Sequence, residues 1–220
     1  MKKSVYSIVL SDDVIDKIDE LAYRTNTSRS NLINQILADH VSYTTPEKRF
    51  RNIFDCIREM MDNQFNIPVQ GSDTLMSIRS PLKYKYKPTI RYKVELLREQ
   101  KNNTFGILNV TMRTQSAILL ESLEVFFCLW QQLEKKYIDK YFTGGIKAEF
   151  SDGKYIRAFK FTSITESLSP DKIGKAISDY ITIIDSVMKL YFAGIETPDT
   201  TFSQMESYYK RCIKNQSIII

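Results

Sequence analysis

Histidine appears once in this chain, as His40, which leaves histidine-rich zinc sites and Ser-His or Cys-His triads without further parts to draw on. Glycine is scarce, and none of the seven falls in a Gly-x-x-x-x-Gly-Lys phosphate loop or a Gly-x-Gly-x-x-Gly fingerprint. Gly144-Gly145 after Thr143 reads instead as a helix stop and strand entry. The three cysteines, Cys56, Cys128 and Cys212, are dispersed and odd in number, so they build no disulfide framework and read as buried thiols of a reducing cytoplasm. No apolar run reaches the length of a membrane span. The opening Met-Lys-Lys with the apolar residues after it has the look of a secretion signal, but that run is short and Asp12-Asp13 interrupts it. Acidic pairs such as Glu121/Glu124 recur at the spacing of a solvated helix face. The expectation is a cytoplasmic protein that is not an enzyme, with no catalytic residue, no metal ligand and no cofactor.

What is present begins with charge. The net charge of +5 is mildly basic, and its distribution is uneven. Residues 1–45 carry five Lys/Arg against six Asp/Glu, residues 46–115 thirteen against seven, and residues 116–220 thirteen against thirteen. The whole excess therefore lies in the middle third.

Residues 5–10 alternate as a strand does, with Tyr6, Ile8 and Leu10 on one face and Val5, Ser7 and Val9 on the other. Ser11-Asp12-Asp13 then opens a helix, a cap-competent residue before two carboxylates at the positive end of the dipole. Its apolar stripe is Val14, Ile15, Ile18, Leu21 and Ala22. Asn26 is suited to the left-handed conformation that ends the helix, and Ser28 caps a second one carrying Leu32, Ile33, Ile36, Leu37 and Val41. His40 falls near the end of that helix, where it caps or faces solvent. A six-residue strand without a partner leaves backbone N–H and C=O groups unpaired, and two short helices are too small a core to stand alone. The strand is therefore expected to pair with that of a second chain.

These residues, in particular the run from Tyr6 to Ala22 followed by Asn26-Thr27-Ser28-Arg29-Ser30-Asn31-Leu32-Ile33, resemble the ribbon-helix-helix DNA-binding dimers, of which the Met and Arc repressors are members. The resemblance covers residues 3–43. It implies a two-chain ribbon that enters the major groove of duplex DNA, with outward side chains reading base edges and the second helix's N-terminus holding a phosphate. By the same resemblance, Val5, Ser7, Val9 and Lys3 face the bases, while Thr27, Ser28, Arg29 and Ser30 contact phosphate. Two of these positions depart from the long polar side chains usual on the reading face. Valine touches a thymine methyl group but forms no bidentate pair with guanine or adenine.

Thr44-Thr45-Pro46 opens a third helix with the apolar stripe Phe50, Ile53, Phe54, Ile57, Met60 and Met61 and a basic remainder, Lys48, Arg49, Arg51 and Arg58. That remainder reads either as a phosphate-contacting extension or as a solvated face. Periodicity fades over residues 63–80, which marks a boundary. In residues 81–88 lysines alternate with tyrosines, and an extended strand would put Lys83, Lys85 and Lys87 on one face and Tyr84 and Tyr86 on the other. Such a row is either a nucleic-acid contact or, more in keeping with sheet edges, a guard against edge association. Residues 90–97 and 105–114 form a hairpin, with Tyr92, Val94 and Leu96 facing Leu108, Val110 and Met112. A long helix occupies 115–141. A second hairpin, 146–150 and 154–162, turns at Ser151-Asp152-Gly153, and further helices span 169–192 and 202–214. Strand, strand, helix occurs twice, which suggests a pseudo-repeat forming one antiparallel sheet packed by two helices. The tail Ile218-Ile219-Ile220 reads as a docking segment or as a mobile end.

The predicted fold is α+β, with a ribbon-helix-helix dimerising unit at residues 1–44, a connecting helix and linker at 45–80, and a C-terminal α+β domain at 81–220 built from two hairpins and two long helices. The expected function is a dimeric transcriptional regulator whose partners are double-stranded DNA and a second or further copy of itself, with no membrane association. The alternative is a ribbon-helix-helix interaction protein, antitoxin-like, a scaffold or a plasmid-maintenance factor, whose C-terminal domain binds a protein partner. The aromatics Tyr92, Phe126, Phe127, Trp130, Phe159 and Phe161 offer that domain either a small-ligand pocket or a packed core.

Overall fold

The computed structural model describes residues 5–69, 72–85, 87–162, 168–215 and 219–220. It is a mixed helical and antiparallel-sheet structure and divides into two compact units, residues 1–49 and 50–220. Lys3 and Tyr86, both named in the sequence reading, lie outside the described residues.

The smaller unit contains α1, Asp12–Arg24, and α2, Arg29–His40, packed on each other. α1 ends as its sequence predicts. Asn26 takes a φ of 50°, and Thr27 N–H bonds the carbonyl of Ala22 at 2.9 Å, closing the last turn. α2 ends in the same way, with Ser42 at a φ of 55° and Tyr43 N–H on the carbonyl of Ala38 at 2.8 Å. The helix α3, Pro46–Met61, begins at the expected cap, where Thr45 Oγ1 accepts from Lys48 N–H at 3.2 Å.

From Phe50 onward the chain belongs to the larger unit. The stretch read as connector and linker thus contributes the buried stripe of α3, Phe50, Ile53, Phe54, Ile57 and Met61, and an edge strand β1, Leu75–Pro81. Met60, expected in that stripe, is exposed. β2, Thr89–Lys101, and β3, Thr104–Met112, form the first hairpin, and β4, Ala148–Ser151, and β5, Lys154–Lys160, the second. The order is β1-β2-β3-β5-β4, antiparallel throughout. Because β3 pairs β5, the two hairpins meet through their second strands, the arrangement that a two-fold relation between two β-β-α units requires. β1 stands outside that relation.

Tyr92 and Val94 pair Val110 and Leu108, and all four are buried, as parity predicts. The first hairpin turns within the connection expected over residues 99–104, at Asn102-Asn103, whose φ values of 52° and 62° suit a tight turn between twisted strands. Residues 82–85, 87 and 88 are not a strand. They turn between β1 and β2, with Leu82 N–H on the carbonyl of Pro88 and Lys87 at a φ of 43°. Two prolines and the burial of Leu82, together with the packing of Tyr84 on Phe192 at 5.2 Å between ring centres, override the alternating pattern.

One sheet face is covered by helices. α4, Ala117–Tyr137, α5, Pro170–Ala193, and α6, Pro198–Asn215, supply Trp130, Ile184 and Met205 to a core shared with Tyr92, Leu108 and Tyr155. Three helices, and α3 with them, replace the two expected. The cysteines are not buried thiols: Cys128 is exposed, and Cys56 and Cys212 are half-buried, because each lies at the margin of its helix's apolar stripe. Among the described residues no helix is long and apolar enough to cross a membrane.

Candidate nucleic-acid interface

In residues 5–10 no strand forms within the single chain. Val5 and Val9 are 98% and 99% exposed, and Ser7 is exposed beside them, whereas Ile8 is 56% exposed and Leu10 half-buried. Tyr6, on the same predicted face as Ile8 and Leu10, is 84% exposed, so within one chain only Ile8 and Leu10 are less exposed than the opposite face. Among the described apolar residues of the smaller unit only Ala22, Leu32 and Ala38 are buried. Val14, Leu21, Ile36, Leu37 and Val41 are exposed although they belong to the helices' apolar stripes.

The start of α2 gathers the residues expected at a phosphate. Ser28 is extended at φ −84°, ψ 152°, and its Oγ accepts from Asn31 N–H at 3.3 Å. Its carbonyl takes Leu32 N–H at 2.9 Å. The N–H groups of Arg29 and Ser30 have no acceptor within the helix, and the first turn carries no acidic residue to offset the positive end of the dipole. Thr27 is half-buried, while Ser28, Arg29 and Ser30 are exposed, so hydroxyls and amides stand together at one helix end.

Arg29 is engaged where a free anchor was expected. Its Nε donates to Asp19 Oδ1 at 2.6 Å and its Nη2 to Asp19 Oδ2, a two-pronged bond between α2 and α1. The hydrogen bonds from Arg29 hold the Asp19 carboxyl below the usual carboxylate range, and the same bonds raise the guanidinium. Asp19 was missed as a site residue because a separation of ten residues across a helix turn follows no helical period. Lys48 Nζ bonds Asp39 Oδ1 at 2.7 Å, so that part of the basic face of α3 is also paired. His40 is exposed in the last turn of α2.

A second group that periodicity does not reveal lies inside the larger unit. Arg157 and Glu134, both buried, meet at 2.7 Å between Nε and Oε1. Tyr155 and Tyr180 hydroxyls donate to the same carboxylate at 3.0 and 3.1 Å, Trp130 Nε1 donates to Tyr180, and Arg157 Nη2 donates to the main-chain oxygen of Ile220 at 2.6 Å. Burial works against the charge of the guanidinium, and the Glu134 carboxylate together with Tyr180, Tyr155 and Tyr209 raises its pKa nonetheless. This network anchors β5, α4, α5 and Ile220 to one another. Tyr92, Phe126, Phe127, Trp130, Phe159 and Phe161 are all buried in the surrounding core. The void lined by Trp130, Tyr180, Tyr209 and Ile220 measures about 10 Å³, against the several hundred of a small-molecule pocket. Among the described residues no three His, Cys, Asp or Glu side chains are grouped so as to hold a metal ion.

No known protein family, curated protein or solved structure matches this chain.

Proposed function

We propose that the protein is a dimeric DNA-binding transcriptional regulator whose N-terminal unit is a ribbon-helix-helix. The observation that carries this reading is the exposed alternating segment 5–10, placed directly before two helices whose apolar stripes are largely uncovered and whose second member opens on a Ser28 cap with free amides. In this reading two copies of the segment pair as an antiparallel ribbon, Ile8 and Leu10 close the shared core, and Val5, Ser7 and Val9, with Lys3, enter the major groove. The α2 termini hold flanking phosphates through the Arg29 and Ser30 amides and the hydroxyls of Thr27, Ser28 and Ser30.

A second reading, a ribbon-helix-helix interaction protein, draws on Val5 and Val9, whose exposed apolar side chains suit a protein partner as well as a thymine methyl group. Selection of duplexes from a random-sequence library by the full-length protein at two salt concentrations decides between them. Recovery of a short, two-fold symmetric site at moderate salt is the expected result. Recovery of no preferred sequence would assign the ribbon to dimerisation or protein binding.

A further inference from the structure

The sheet face opposite the helices carries an arrangement of charge that folding alone does not favour. The registers place Arg79 opposite Arg91, Arg91 opposite Thr111, and Thr111 opposite Lys154, one row across four strands. At about 4.8 Å between strands the row is roughly 14 Å long. The next row holds Lys93 and Asn109 in register. Arg79, Arg91 and Lys154 are exposed and Lys93 is half-buried, while their strand neighbours Ile78, Tyr92 and Tyr155 face the core. Exposed Arg113 follows β3 at the same end of the sheet, and exposed Lys83, Lys85 and Lys87 lie in the β1–β2 turn there. Among the described residues none of these cations makes an ion pair. The nearest carboxylates in register are Glu95, on the second row beyond, and Glu149, at the far edge on β4.

Like charges directly opposite on neighbouring strands destabilise a sheet, so Arg79 beside Arg91 is a local rule broken with no offsetting carboxylate among the described residues. An anionic ligand supplies that partner. The two rows contain no aromatic residue, which removes the stacking platforms that single strands use. Guanidinium and ammonium groups interleaved with a hydroxyl and an amide are the donors that contact duplex phosphates without reading sequence. We propose that this open sheet face, through Arg79, Arg91, Lys93 and Lys154, holds the phosphate backbone of duplex DNA. The choice of occupant rests on the DNA-binding reading above, and the surface is a second one, on the other unit of the chain.

The test is fluorescence anisotropy of the full-length protein on a labelled duplex of scrambled sequence across a salt series. The triple variant Arg79→Gln/Arg91→Gln/Lys154→Gln is compared with Ser28→Ala/Ser30→Ala. Removing three phosphate contacts is expected to lower the slope of log affinity against log salt by between about two and three, at roughly 0.9 per contact, and to weaken all sequences alike. The triple variant is expected to melt no lower than wild type, since it relieves the Arg79–Arg91 repulsion. A wild-type slope in the triple variant overturns the sheet surface. If in that case the α2 variant still loses selected-site binding, the N-terminal reading stands alone. Loss of scrambled-duplex binding in the triple variant, with no preferred sequence in any selection, would keep the sheet surface and remove the N-terminal reading. Wild-type protein that ignores duplex but binds phosphatidylserine vesicles through the same three residues would overturn the proposal in favour of a membrane surface.

Discussion

At the residue scale, two ion pairs behave in opposite ways. The Glu134–Arg157 pair is sealed in the core, and its carboxylate also takes the hydroxyls of Tyr155 and Tyr180. Removing one partner leaves the other charged and unpaired, so Glu134→Ala is expected to lower stability by about 3–5 kcal/mol in urea unfolding; a loss below about 1 kcal/mol would show that the core rehydrates there. The Asp19–Arg29 pair is on the surface, and its interest is competition: Asp19→Asn should free the guanidinium for phosphate, tighten DNA binding and steepen the salt slope by about 0.9. An unchanged slope would mean that Arg29 never reaches phosphate. Burial, the first cause for each, raises the phenol pKa of Tyr92, Tyr155, Tyr180 and Tyr209 above the ordinary value that they have when unfolded. Their contribution to stability is complete below about pH 10 and is lost as pH rises beyond it, because only the unfolded chain ionises them readily. Titration followed by tyrosine absorbance should therefore show these phenols ionising together with unfolding. Free ionisation of all thirteen tyrosines in a folded protein would contradict their burial.

At the element scale, legibility followed local chemistry. The caps at Ser28 and Thr45, the left-handed stop at Asn26 and the inward set Tyr92, Val94 and Leu96 are each set by a few neighbouring residues, and each was readable in the sequence. The turn carrying Leu82, Tyr84 and Lys87 was not, since its alternation of lysine and tyrosine mimics a strand while burial of Leu82 and packing of Tyr84 on Phe192 decide its path. Nor was the approach of α5 to α3. A Cβ on Gly174 would lie 2.9 Å from both the Cys56 Cβ and the Ile53 carbonyl oxygen, which no single-helix pattern signals. Gly174→Ala is expected to cost about 1–3 kcal/mol by forcing these helices apart, measurable as a lower urea midpoint. A variant as stable as wild type would mean that the interface gives way without strain. Of the candidate site, Ser28, Arg29 and Ser30 were legible because a helix start has a sequence signature, whereas the Arg79–Arg91–Lys154 row requires strand registers that only the folded sheet provides.

At the scale of the whole molecule, the two units differ in how they close their cores. The larger one encloses an extensive apolar core within the chain, although Met60, Ile118 and Val125 are exposed, and the smaller one buries only Ala22, Leu32 and Ala38 of its described apolar residues and leaves Val14, Leu21, Ile36, Leu37 and Val41 exposed. Placing a charge under the proposed ribbon should therefore abolish association while leaving the larger unit folded. Ile8→Asp is expected to sediment as a monomer with a cooperative urea transition, and a folded dimer of that variant would exclude a shared ribbon. The most direct measurement is hydrogen exchange at the amides of residues 5–10 over a range of protein concentrations. In one chain these residues belong to no strand, so only pairing between copies gives them protection that grows with concentration. Protection at alternate residues, lost on dilution together with the dimer, is the result that the two-chain ribbon predicts. Exchange at the rate of an unpaired peptide, in protein concentrated enough to be dimeric, would contradict it.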